Sequence, residues 1–248
     1  MSDELVTADP PVRVKRAKLL NVVAAELGQQ IVSGQFPEGE MIPPEPELCA
    51  RFAVSRTVVR EAVQLLISKG MLKTRSGIGT WVPPVSEWSF LDPLVLRWVQ
   101  DSGRAELVLE HLFRFRSAVE PAAAAEAALN ATSEQLAVLE NALNRMRLAR
   151  TDFDEWIGGD VEFHTAIYVA TNNVFMAPLA TIFRQYFRMS FRVSSSAEHH
   201  QHCLKEHEDV FVAIADRDSE RARRCVQILL DGASHDVKAV QGTPILRF

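Results

Sequence analysis

The pattern of apolar positions changes character once along the chain, near residue 84. Before it, 15–33 (KRAKLLNVVAAELGQQIVS) set Leu19, Val22, Val23, Leu27 and Ile31 three and four apart, which predicts an amphipathic helix ending at Gly34. After a loop over 35–44, Pro44 can open a short second helix, Glu45–Phe52, with Leu48 inward. Ala53-Val54 makes a tight connection. Ser55 is a good N-cap for a third helix, running to about Ser68 on Val59, Ala62, Val63 and Leu66, and Gly70 stops it. Two extended runs, 71–75 and 80–83, flank Ser76-Gly77-Ile78-Gly79 and predict a glycine-turned hairpin. Three helices and a hairpin in this order make a winged helix-turn-helix over 12–83.

Pro83-Pro84 breaks regular structure, and 84–91 reads as a linker. From there the helical period recurs with little strand signal, over 92–101, 104–129, 133–149, 152–171, 175–194, 200–216 and 218–239. Thr132 and Asp218 are expected N-caps, and Pro121 and Pro178 expected kinks or local starts. The fold class is therefore mainly α: an N-terminal winged helix followed by an all-helical bundle over 92–241.

The 248 residues suffice for two cores, and no apolar run approaches the roughly 20 residues that span a bilayer. The opening MSDELVTADPPVRVK has no apolar signal segment, so a cytoplasmic protein is expected. Cys49, Cys203 and Cys225 match neither a disulfide framework nor a zinc ribbon and read as reduced thiols. A net charge of −5 would speak against nucleic acid if it were spread evenly, but it is not. Residues 12–83 carry ten Lys and Arg against six Asp and Glu, whereas from residue 84 onward 17 basic meet 23 acidic side chains. A basic head precedes an acidic body.

FAVSRTVVREAVQLLISKG places Ser55, Arg56, Thr57 and Arg60 on the first turn and a half of one helix, with an apolar face behind. A recognition helix needs that division, because its N-terminal residues meet DNA while the rest anchors it. Arg56 is the candidate for a bidentate contact to guanine; Ser55, Thr57 and Arg60 would position phosphates; Gly77 lets the wing backbone approach DNA closely.

IVSGQFPEGEMIPPEPELCARFAVSRTVVREAVQLLISKGMLKTRSGIGTWV resembles the GntR-type winged helix, with Gly39, the Pro44-Glu45 helix start, the VSRT..RE core and the G.GT wing in place. One departure is Pro46, which stands where relatives carry a DNA-contacting arginine. EWSFLDPLVLRWV, RFRSAVEPAAAAEAA, DVEFHTAIYVATNN and KEHEDVFVAIADRDSERA resemble, in order, the helical FCD effector domain of the FadR subfamily, most of all its galactonate-responsive repressors. The resemblance implies a homodimeric, ligand-responsive transcriptional regulator, a repressor released from double-stranded operator DNA by a small carboxylate, with a sugar acid favoured. It also implies a divalent metal, zinc or similar, beside that effector.

Asp160 and His164, at i and i+4, can face one ion from one helix, and His207 would join them from another. The family's last histidine is replaced by Leu229; His235 lies on a different face, whereas His200 and Cys203 share a stripe with His207. Two readings stay open: a weakened metal site, or a hydrogen-bonded polar cluster. Arg116 and Arg188 are candidates for gripping an effector carboxylate, and Asn173 is either an effector contact or a helix C-cap. A metal-dependent enzyme using Asp160, His164 and His207 is the competing class. Neither a nucleophile-base motif nor a nucleotide loop supports it. An effector-independent DNA-binding protein is another, and the acidic body argues against it.

Overall fold

The computed structural model describes the backbone of residues 12–104, 106–149, 152–190 and 197–241, and side chains over 16–104, 107–149, 152–184 and 203–232. The chain divides into two compact units, 1–104 and 105–248.

The first unit starts with α1 (Val12–Val32), α2 (Glu45–Phe52) and α3 (Arg56–Ser68). Only the C-terminal half of α1 is buried: Val23, Ala24, Leu27, Ile31 and Val32 form its core face. Leu19 and Val22, expected on that face, are 45% and 53% exposed, so the apolar stripe of α1 runs further toward its N-terminus than the core that buries it. In α3 the buried stripe is Val58, Val59, Ala62 and Leu66, with Val63 half-buried beside it. Between α2 and α3 the chain turns through Ala53 in the left-handed region, φ 51°. That conformation costs an alanine roughly 1–2 kcal/mol. The bend is closed by the Val54 N–H donating to the Cys49 carbonyl at 3.2 Å.

The hairpin pairs β1 (Lys73–Arg75) with β2 (Gly79–Trp81), Thr74 opposite Thr80. The segment read as loop adds a third short rung. Ile42 N–H donates to the Thr80 carbonyl at 3.0 Å and Val82 N–H to Glu40 at 3.0 Å. The expected linker is likewise structured, with a 3-10 turn at Val85–Glu87 and the Ser89 N–H bonded to the Lys69 carbonyl at 2.9 Å. Helix α4 (Pro93–Asp101), grouped with the helical body in sequence, packs on α1. Gly28 makes this fit: a Cβ there would sit 2.6 Å from the Trp98 ring.

The second unit is helical throughout its described residues: α5 (Glu106–Asn130), α6 (Ser133–Ala149), α7 (Phe153–Ala170), α8 (Leu179–Ser190), α9 (Ala197–Ala215) and α10 (Ser219–Gln241). Helix α5 runs unbroken across Pro121. Thr132 and Gln135 form a reciprocal capping box, and Asp218 accepts from the Arg221 N–H at 2.9 Å. Pro178 immediately precedes α8. Helix α5 packs along α10 and touches α7 and α9, while α7 also packs against α6 and α8. Gly159 permits a close α6–α7 approach, since a Cβ would lie 2.7 Å from Met146 Cγ. The next residue, Asp160, is fully buried.

Candidate functional site

In the first unit the polar start of α3 is a solvent-facing surface. Ser55, Arg56, Thr57 and Arg60 are all exposed, and Val58 and Val59 behind them are buried. The periodicity of RTVVREAV dictates this split. Ser55 also works within the fold, its hydroxyl accepting from the Val58 N–H at 3.5 Å as the helix N-cap. Arg60 is held from α2: its Nε donates to Glu45 Oε2 at 2.8 Å, with 69% of the arginine side chain still exposed. Gly77, at the tip of the wing, takes φ 77° and is exposed, with open space where a Cβ would stand.

In the second unit Asp160, His164 and His207 meet, each buried, with their ligand atoms within 4.8 Å of one another. His207 Nε2 lies 2.7 Å from Asp160 Oδ1, and His164 Nε2 lies 3.4 Å from the same oxygen. The far nitrogens are anchored too. His207 Nδ1 is 2.7 Å from the Cys203 carbonyl, and His164 Nδ1 is 2.8 Å from Glu120 Oε2, off the line of an ideal hydrogen bond. Glu120 in turn accepts from Arg116 Nε at 2.5 Å, one helical turn earlier on α5. Phe163 stands edge-on to His207 at 5.1 Å between centroids.

Burial disfavours every charge here, yet the charges stabilise one another. Burial would raise the Glu120 carboxyl, but Arg116 and His164 bring it down to about 2. Asp160 is likewise held well below the usual range against its burial, by His207 and His164. Burial would lower His164, but Glu120 and Asp160 raise it to about 9; His207 reaches about 10 beside Cys203 and Asp160. Asp160 Oδ2 and the Tyr168 hydroxyl are among the buried polar atoms of the described residues that have no hydrogen-bond partner.

The donor set fits a divalent ion. Each imidazole presents Nε2 toward the Asp160 carboxylate while Nδ1 faces an outer acceptor, the arrangement that fixes the tautomer of a ligating histidine. Asp160 Oδ2 remains as a further oxygen donor. Leu229, the position at which the resemblance implies a last histidine, is buried and apolar. Cys203 sits behind His207, its sulfur 3.8 Å from Nδ1, so it meets the nitrogen that points away from Asp160.

Among the other sequence candidates, Arg116 enters the cluster through Glu120. Asn173 does not act as the C-cap: the left-handed residue after α7 is Asn172, φ 53°, and Asn173 Oδ1 accepts from the Phe175 N–H at 2.9 Å to close the next turn. The side chains of Arg188, His200 and His235 lie outside the described residues. Sequence reading passed over Glu120 and Tyr168. Their signal was available: Arg116 and Glu120 stand at i and i+4 on α5, and Tyr168 continues the Asp160-His164 stripe by another four residues.

A winged helix with an exposed polar recognition edge, joined to a helical unit holding a buried polar centre, defines a two-domain DNA-binding regulator. The comparisons agree and make the class specific. Residues 19–82 match the model of the bacterial regulatory proteins, gntR family, and residues 111–232 match the FCD domain. The chain is 35% identical to the uncharacterized HTH-type transcriptional regulator YieP of Escherichia coli, over 84% of this chain and 91% of that protein. It is 30% identical to the galactonate operon transcriptional repressor of Escherichia coli (88% and 96%), and 32% identical to the HTH-type transcriptional repressor NanR of Klebsiella aerogenes (91% and 87%). A solved structure titled for Lar, which controls expression of the Listeria monocytogenes agr system, superposes with a TM-score of 0.61 at 18% identity, over 90% of this chain and 97% of that one, and supports the fold. The chain belongs to the GntR family of transcriptional regulators, in the FadR subfamily that carries an FCD domain. It is a regulator and not an enzyme, as these relatives are. Among the described residues no helix is long and apolar enough to cross a membrane.

Proposed function

We propose that this protein is a cytoplasmic, homodimeric repressor of an operon for catabolism of a sugar acid, released from its operator when that acid binds the FCD domain. The observation that carries the reading is the buried convergence of Asp160, His164 and His207, with Arg116 linked to it through Glu120. Asp160, His164 and His207 would hold a divalent ion of the zinc class, which when bound supplies a Lewis-acidic anchor for a carboxylate oxygen. Arg116 offers a guanidinium fork for that same carboxylate. The Tyr168 hydroxyl and Asp160 Oδ2, both without partners, suit the hydroxyl groups of a polyol acid better than a plain hydrocarbon chain. Galactonate is the first compound to test, because the galactonate operon repressor is among the relatives. Arg188 would assist from α8; Asn173, engaged in its own turn, would contribute little.

At the DNA, Arg56 reads a base in the major groove, Ser55, Thr57 and Arg60 meet phosphates, and the Gly77 wing approaches the neighbouring groove. Two copies place their recognition helices about one helical turn of DNA, roughly 34–36 Å, apart on a palindromic site. An effector that prefers a conformation whose spacing no longer matches lowers DNA affinity by linkage.

The test is a thermal-shift screen of sugar acids and short carboxylates on zinc-loaded protein, followed by operator release measured by fluorescence anisotropy. A sugar acid that both raises the melting temperature and releases DNA is the expected result. Stabilisation only by a non-sugar acid reassigns the operon, and no stabilisation by any acid overturns the effector reading.

A further inference from the structure

Glu120 lies outside the three-residue ligand set, yet it is the group through which the rest of the centre is organised. It is 1% exposed on α5, and its two oxygens have different partners. Oε1 takes the Arg116 Nε–H at 2.5 Å; Oε2 stands 2.8 Å from His164 Nδ1. A carboxylate at Nδ1 keeps a proton on that nitrogen, so in the neutral imidazole that coordination requires the free lone pair is on Nε2, the atom facing Asp160. His207 is prepared the same way by a different acceptor, the backbone carbonyl of Cys203 at 2.7 Å. The two imidazoles are thus aimed at Asp160 by one fixed main-chain group and one side chain. Only the side chain also binds Arg116.

We propose that Glu120 is a positioning residue for the metal: a carboxylate outside the ligand set that fixes the tautomer and orientation of His164 for coordination, and ties that ligand to the arginine assigned to the effector. This rests on the metal reading above and goes beyond it, because it assigns a role to a residue that coordinates nothing. It also gives the effector a route to the ligand set. An anion that draws Arg116 away from Glu120 changes the carboxylate that holds His164.

The test measures Zn2+ affinity of the full-length, chelator-stripped protein by competition with a chromophoric chelator, in a double-mutant cycle of Glu120→Gln and His164→Ala. Outer-sphere partners of ligating histidines typically contribute 10–100-fold to metal affinity. Glu120→Gln is therefore expected to weaken Zn2+ binding by about 10–100-fold when His164 is present and to cause no further loss when it is absent. Bound Co2+ should show an altered visible spectrum in Glu120→Gln, a change that a purely structural role would not cause. Because removing one charge of a buried pair can unfold the domain, an Arg116→Leu/Glu120→Leu variant, which leaves neither charge unpaired, repeats the measurement with the same expected loss. Unchanged Zn2+ affinity with His164 present, or equal losses in both backgrounds, overturns the role of Glu120 and leaves the metal site standing. A wild-type protein that takes up no Zn2+ overturns both.

Discussion

The two polar constellations of this protein solve opposite problems. At the start of α3, Ser55, Arg56, Thr57 and Arg60 face water, and their neighbours serve mainly to keep them in place. Around α7, Arg116, Glu120, Asp160, His164 and His207 are each 1–2% exposed or less, and each stabilises the charge on another. The first surface can lose a side chain and keep its fold, because water replaces the missing partner. The second cannot, because in a low-dielectric interior an orphaned charge has nothing to replace what it lost. One region can be edited residue by residue; the other responds as a unit.

The largest expected effect follows from that difference. Asp160→Ala leaves two raised imidazoles facing no carboxylate on their Nε2 side and should cost about 3–5 kcal/mol of stability, as breaking buried pairs generally does. The pH profile should carry the same signature in metal-free protein. His164 and His207 have folded-state values of about 9 and 10, above the ordinary 6.5, so their contribution is complete below about pH 6.5 and is lost as pH rises through 9 to 10. Urea melts across that range, wild type against His164→Gln, check it. A parallel decline in the two proteins would mean that His164 adds nothing to the profile.

The contrast also explains what the sequence makes legible. The winged helix could be read because its signals are local: the Ser55 cap, the period of α3 and the glycines of the wing each declare themselves within a few residues. What escaped was set by packing at a distance. Strand-like pairing of Glu40 and Ile42 depends on β2, and the exposure of Leu19 and Val22 depends on how far the core extends along α1. In the second unit the i, i+4 spacing of Asp160 and His164 was visible, but Glu120 reaches His164 from another helix, 44 positions away in sequence, and no periodicity records such a meeting. The residue sequence reading overlooked is thus the one whose role exists only in three dimensions.

A smaller effect is expected at the DNA edge, and it separates the two arginines there. Arg56→Ala should lower affinity for the operator by about 1–3 kcal/mol and relax preference at one base position. Arg60→Ala should weaken specific and nonspecific DNA alike and reduce the salt dependence by about one counterion. Neither should disturb the buried centre. Binding titrations at several salt concentrations, on operator and on scrambled DNA, distinguish them; an Arg56→Ala protein with unaltered specificity would remove that residue from base reading.

The smallest effect on stability is expected at Ser55, and here the comparison itself is at stake, since this residue belongs to both categories. Its hydroxyl caps α3, accepting from Val58 N–H at 3.5 Å, and it is exposed on the surface proposed to meet phosphate. Ser55→Ala removes both roles, so it should cost about 0.5–1 kcal/mol of stability together with some DNA affinity. Ser55→Asp divides them. Aspartate caps a helix as well as serine, and its charge suits the positive end of the helix dipole, so the melting temperature should hold or rise slightly. The same charge faces the DNA backbone, so operator affinity should fall well below that of Ser55→Ala, and more steeply at low salt, where phosphate repulsion is least screened. If Ser55→Asp binds DNA as well as wild type does, Ser55 is a capping residue alone, and the working surface of α3 begins at Arg56.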